Sequence, residues 1–279
     1  MTSSLAMGRG GWARVPPALV AGAGLLALLL ACALLPGSLA PYDPVALDFN
    51  ALLQPPDVAH PFGTDNFGRD MLSRTIFAAR VDLQIAVFST LVPMLLGSLI
   101  GLWVGFAGGW ADAVFGRIVD LVLTFPFLVL VIAIVAVLGP GLANMYVAVS
   151  AVGWVFYARL MRAEVRVQRA ADYVAACKVL GYGTARTLFR HILPNALRPI
   201  LVYWVTDMAL KILLGSSLGY LGLGAQPPTA EWGVLIADGK NFFTQAWWMT
   251  FFPGTAIVLA GIGFSLTGDG LAELLDVKR

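Results

Sequence analysis

Charge is what this sequence has least of. Asp, Glu, Lys and Arg make up 12% of its 279 residues, against 59% hydrophobic side chains and a mean hydropathy of +0.81. A soluble domain carries about a quarter charged residues, so that class is excluded, and the length is too great for a single membrane span. Apolar runs of about 20 residues also exclude a membrane β-barrel, whose strands alternate over roughly 10. The expected fold is therefore an all-α polytopic membrane protein.

Histidine and cysteine are scarce as well, with two of each: His60, His191, Cys32 and Cys177. Cys32 falls in an apolar run and Cys177 in a polar loop, so no disulfide is expected between them and no redox compartment follows. No Ser-His-Asp or Cys-His arrangement can be assembled, so no catalytic residue is assigned. His60 beside Asp65 and Asp70 reads as loop structure rather than a metal site, and no metal ligand is assigned. The stretch from Gly233 to Gly239-Lys240-Asn241 has five residues between its glycines, where a phosphate-binding Walker loop has four, and Asn241 where Mg²⁺ needs a hydroxyl. Gly222-Leu-Gly224 lacks the third glycine of a dinucleotide fingerprint. Only Asp207 and Lys211 place reactive groups inside an apolar run, so transport, channel or assembly functions remain.

What the chain does have is one long basic segment, Arg159 to Pro199. It holds Arg159, Arg162, Arg166, Arg169, Lys178, Arg186, Arg190 and Arg198 against two acids, Glu164 and Asp172. A short loop this rich in Lys and Arg is retained on the cytoplasmic side of a membrane. Within it, Ala170 to Leu180 is free of Gly and Pro, with Asp172 near the start, where a carboxylate suits the helix dipole. Gly181-Tyr182-Gly183 ends that helix. Thr184 would cap a second, with Leu188, Phe189 and Ile192 as its apolar stripe and Pro194 as its stop. Ala171, Ala175 and Ala176 would let another surface come close to the first helix; a plain solvated basic loop is the competing reading.

Counting outward from this segment predicts six spans with both termini cytoplasmic. Residues 1–40 hold an N-terminus with Arg9 and Arg14 and a first helix from Ala18 to Leu35. This helix is read as uncleaved, although Ser38-Leu39-Ala40 resembles a signal cleavage site and Leu29-Leu30-Ala31-Cys32 a lipoprotein box. Residues 41–80, rich in proline and acid, form an extracytoplasmic loop, and 81–279 the transmembrane domain. Its spans are Val81–Phe106, Ile118–Leu138 with a kink at Pro126, Ala143–Ala158, Ile200–Leu218 and Met249–Thr267, with an inside turn over Gly108–Arg117 and an outside loop over Gly219–Trp248. Gly97, Gly101, Gly105 and Gly109 recur every fourth residue, a stripe for close helix approach in lipid. Asp207 and Lys211, four apart, can pair on one face or meet a substrate.

Asp172-Tyr-Val-Ala-Ala-Cys-Lys-Val-Leu-Gly181 followed by His191-Ile-Leu-Pro194-Asn195 resembles the EAA loop of permease subunits of ABC importers, in the dipeptide/oligopeptide/nickel branch. The stretches His60-Pro-Phe-Gly-Thr-Asp-Asn-Phe-Gly-Arg-Asp70, Tyr220 to Pro228 with Glu231-Trp232-Gly233, and Gly268-Asp269-Gly270-Leu271 resemble the same branch, and the N-terminal span resembles its second, C-type permease. The resemblance covers the chain from about residue 41 onward. Ala175, Cys177 and Lys178 depart from the commonest loop residues, as do Ser265, Ala272 and Val277 near the end. It implies the type I ABC importer permease fold in the bacterial inner membrane, with the loop at 159–199 forming a cytoplasmic coupling helix. Asp172, Tyr173, Ala175, Ala176, Gly181, His191, Pro194 and Asn195 would face an ATPase. The implied partners are a homologous permease in a heterodimer, two ATPase subunits, an extracytoplasmic binding protein, a peptide substrate and membrane lipid, but no nucleic acid. ATP and Mg²⁺ would be held by the ATPases and no cofactor by this chain. Nickel or a metal chelate is the alternative substrate. A stand-alone proton- or ion-coupled transporter using Asp207 and Lys211 is the alternative of another class.

Overall fold

The computed structural model describes residues 15–275, and their regular structure is helical, with one isolated bridge between Thr64 and Asp70. Arg9, Arg14 and the basic end Lys278-Arg279 lie outside the described residues. In chain order the helices are α1 (Pro17–Leu34), a single turn α2 (Pro36–Leu39), α3 (Met71–Ala107), α4 (Gly109–Leu123), α5 (Phe127–Leu138), α6 (Leu142–Arg169), α7 (Asp172–Val179), α8 (Thr184–Arg186), α9 (Leu193–Tyr220), α10 (Trp232–Gly239) and α11 (Trp248–Leu274). A π-helical turn over Thr187–Ile192 joins α8 to α9. Four helical segments are long and apolar enough to cross a membrane: α1, α3, the run from Thr184 to Tyr220, and α11. The bent pair α4 and α5 would make a fifth. Helix α6, with 28 residues, has the length but not the composition.

Helix α3 is the spine. Its 37 residues span about 55 Å at 1.5 Å per residue, well beyond a hydrocarbon core of about 30 Å. Gly97, Gly101 and Gly105 line the seam where α3 meets α6. An added Cβ would come within 2.3 Å of the Trp154 carbonyl oxygen at Gly97, 2.3 Å of that of Ala158 at Gly101 and 2.8 Å of that of Arg162 at Gly105. The partner of the stripe is thus in this chain. Gly109 is not part of it: it opens α4 at φ +59 with open space around it. Helix α1 lies on α11 by the same device, Gly270 meeting Leu19 and Gly22 meeting Thr267.

Several boundaries differ from the sequence expectation, each for a physical reason. Helix α3 begins at Met71 rather than Val81, because Asp70 caps it by accepting from the Ser73 amide at 2.7 Å, and the arginine that looked like loop polarity, Arg74, is buried against Asp65. The expected turn over Gly108–Arg117 contracts to Gly108 and Gly109, both at positive φ, and the rest is helix. At Pro126 the expected kink is sharp enough, at 82°, to divide the third span into two helices, since proline disfavours a helical residue before it and α5 starts afresh after it. Pro194 does not stop its helix. It sits in the first turn of α9, where its missing N–H costs little, and the wide π turn before it, with the Leu193 amide bonded to the Leu188 carbonyl, relieves the crowding of the ring.

The loop before α3 is folded. Asp65 accepts from Arg69 at 2.7 Å and from Arg74, while His60 meets Asp70 at 2.9 Å through Nδ1. The histidine and acids that suggested a metal site are thus divided among separate pairs. Gly68, at φ +74, lies where a side chain would strike the Asp48 carbonyl. Asp70→Ala removes both the α3 cap and the His60 partner and should cost about 1–2 kcal/mol, read as a lowered unfolding midpoint in mild detergent. The stretch Gly219–Trp248 is folded too, around α10 and a 3-10 turn at Lys240–Phe242. The glycine that opened the would-be phosphate loop, Gly233, is there for packing: its Cβ would sit 1.9 Å from the Ser216 carbonyl oxygen.

Candidate functional site

The polar segment is built outward from α6. That helix carries the first arginines of the basic stretch to Arg169, with Arg162 Nε held 2.5 Å from Asp112 Oδ1 of α4. After a turn at Ala170, α7 runs from Asp172, whose carboxylate complements the helix N-terminus, to Val179. Two side chains fasten it: Val174 and Cys177 are buried, Val174 in a core with Val165, Leu188, Ile192 and Ala196. The opposite face presents Asp172, Ala175, Ala176 and Lys178 to the surroundings. Val179 is 89% exposed and Leu180 67%, so the helix ends in an uncovered apolar edge. Gly181 at φ +71 closes α7, with the Tyr182 amide returning to the Cys177 carbonyl at 3.0 Å.

The residues singled out in the sequence do not all share one surface. Asp172, Ala175, Ala176, Gly181 and Pro194 are exposed. Tyr173, His191 and Asn195 turn partly inward: the Tyr173 hydroxyl donates to Gln168 at 2.7 Å, Asn195 Nδ2 donates to the His191 carbonyl at 2.8 Å, and the His191 ring stacks on Tyr182 at 5.6 Å. Arg186 covers the other side of the hinge, 4.0 Å from the Tyr182 ring centroid. Sequence reasoning missed Gln168, Tyr182 and Arg186, and only the helix periodicity of α6 could have pointed to Gln168.

The intramembrane pair is closed on itself. Lys211 Nζ donates to Asp207 Oδ1 at 3.1 Å, and the Tyr157 hydroxyl of α6 donates to Oδ2 at 2.8 Å. Asp207 is 2% exposed and Lys211 6%. The ammonium also lies 4.7 Å from the Phe127 ring centroid. Both carboxylate oxygens are therefore occupied, and Tyr157 belongs to the same core that seats Val174 and Ile192. The sequence did not flag a second buried acidic site: Asp82 of α3, with Ser216 of α9 and Glu231 at the head of α10, all buried. Among the described residues, no group of three or more His, Cys, Asp or Glu side chains is placed to hold a metal ion.

A bundle of long apolar helices around a glycine seam, with one short polar helix held out at its end, defines an α-helical integral membrane protein. The chain belongs to the family of binding-protein-dependent transport system inner membrane components, whose family model matches residues 97–279. It is therefore a multi-pass protein of the inner membrane and a component of a transport system. It is 41% identical over 262 residues to the probable D,D-dipeptide transport system permease protein DdpC of Escherichia coli (strain K12), covering 94% of this chain and 88% of that protein. Against the di/tripeptide transport system permease protein DppC of Pseudomonas aeruginosa (strain UCBPP-PA14) the identity is 41% over 263 residues, 91% and 87% of the two chains. The glutathione transport system permease protein GsiD of Pectobacterium atrosepticum is 39% identical over 258 residues, 92% of this chain and 86% of that one.

Proposed function

We propose that this chain is the second permease of an ATP-driven importer of small peptides, forming half of the translocation pathway. The relatives' names support the substrate class. The observation that carries the coupling role is α7 itself: a short helix seated by Val174 and Cys177 that offers Ala175, Ala176, Val179 and Leu180 with nothing against them. Small side chains beside an apolar edge suit insertion into a groove of another protein, here an ATPase subunit. In this reading the basic stretch lies in the cytoplasm, α6 supplies the sixth span and both termini are cytoplasmic.

The assembly comprises a homologous permease as heterodimer partner, two ATPases that bind ATP and Mg²⁺, and an extracytoplasmic binding protein. Hydrolysis in the ATPases moves α7, and the shared core of Val174, Ile192 and Tyr157 passes that motion to α6 and α9. No catalytic residue and no cofactor belong to this chain. Asp207 and Lys211 are structural here, since their polar atoms are already satisfied, which favours this reading over a proton relay.

The test is a pull-down of tagged chain from membranes, wild type beside Ala176→Glu. Wild type should co-purify an ATPase, and the variant should lose it while still inserting. Wild type that transports while purifying alone overturns the proposal.

A further inference from the structure

The fastening of α10 to the bundle is chemically unusual. Asp82 of α3 and Glu231 at the head of α10 are both 0% exposed, and both accept from the opening amides of α10. Two carboxyl groups buried beside one another at one helix head, with no ion pair to either among the described residues, meet the least electrostatic cost by keeping one proton between them. Glu231 spends both oxygens on the α10 N-terminus, Oε1 accepting from the Gly233 amide at 2.7 Å and Oε2 from the Val234 amide at 3.0 Å. Asp82 Oδ2 accepts from the Trp232 amide at 3.1 Å, and its Oδ1 lies 3.4 Å from the Ser216 hydroxyl oxygen. Removing the shared proton places a second negative charge in the same closed space.

Among the described residues no ion pair neutralises that charge. From α6 the pair faces the Tyr146 hydroxyl, which is buried without a hydrogen-bond partner, and from α9 it faces Ser216. Of the cations on this side, Arg74 and Arg69 hold Asp65 and reach Asp238 near the far end of α10 at 3.4 and 3.7 Å, Lys240 lies over the Tyr220 ring, and Arg80 of α3 is exposed whereas Asp82 is fully buried. From α11, Met249 and Thr250 meet α10 with no charge. On the Gly219 side the fit is tight, since a Cβ there would fall 1.9 Å from Glu231 Oε2. Burial pushes the Glu231 carboxyl above the ordinary carboxylate range, offset in part by the two amides it caps.

We infer that one proton shared by Asp82 and Glu231 fastens α10 to α3 and α9, and that α10 comes free when an alkaline exterior removes it. The pair titrates as a unit. An acid whose folded-state value is raised contributes its full stability at low pH and loses it as pH rises through that value, so docking of α10 is complete in acid and fails in base. This holds whatever the transporter carries.

The experiment uses the full chain with its co-purifying subunits in lipid nanodiscs, from about pH 6 to about pH 10. Two signals are followed: the infrared carbonyl band of a protonated carboxylic acid, as a difference against Asp82→Asn, and hydrogen-exchange protection of the amides of residues 232–239, corrected for intrinsic exchange. Asn at 82 can donate to Glu231 without a titrating proton. In wild type the band should be present at neutral pH and vanish in base, and protection should fall by up to about tenfold per pH unit as pH rises toward that point and level off beyond it. In Asp82→Asn the band should be missing and protection flat. Should Asp82→Asn fail to insert, Glu231→Gln, whose amide can donate to Asp82, replaces it with the same expectation. A band absent at neutral pH, protection that ignores its loss, or a variant with the wild-type pH dependence overturns the inference.

Discussion

Gly101→Leu is expected to abolish the folded bundle. A Cβ at Gly101 would already stand 2.3 Å from the Ala158 carbonyl oxygen and 2.9 Å from the Met161 Cβ, and neither helix backbone can yield without parting α3 from α6 along their whole seam. Alanine there should cost about 1–3 kcal/mol and leucine more, because the excess atoms meet backbone rather than a flexible side-chain end. The measurement is monodisperse yield on size-exclusion chromatography with a melt in detergent. Gly261→Leu is the control, since nothing lies within 4 Å of a Cβ at that position on α11. If Gly101→Leu and Gly261→Leu behave alike, the glycine seam is not what joins α3 to α6.

The second large effect concerns Lys211. Lys211→Ala leaves Asp207 buried with its charge opposed only by the Tyr157 hydroxyl, and should destabilise the chain by about 3–5 kcal/mol. The double variant Asp207→Asn with Lys211→Met removes both charges, and should recover most of that loss, as buried pairs replaced by neutral groups often do. Comparing the three melts separates a structural pair from a functional one: a stable double variant that still transports keeps the pair structural. A stable double variant whose transport is dead, with ATPase activity intact, would instead place Asp207 and Lys211 in the substrate path.

Much of the architecture was legible because membrane residence is a summed property. A mean hydropathy of +0.81 with runs of helical length says polytopic helix wherever the partners lie. The α7 segment was legible for the opposite reason, being the one polar stretch in an apolar chain, and its start, its end at Gly181 and the i, i+4 pairing of Asp207 with Lys211 follow from local rules. The loop before α3 misled: Arg74 and Asp65 read as solvent-facing polarity but are buried against each other. Pro194 misled likewise, since a breaker within a helix is a legitimate first-turn residue after a π turn.

What the sequence by itself determined is the helical class, the home in the membrane, the glycine stripe and the exposed polar helix, because each follows from composition or from spacing within one segment. The tertiary structure alone decided that α6 receives the stripe, that Tyr157 completes the hold on Asp207 from 50 residues away, and that Asp82 meets the head of α10, where it accepts from the Trp232 amide 150 residues on. Such meetings have no period to read. They arise when the whole bundle closes and each buried polar atom must find its partner in whichever helix arrives beside it.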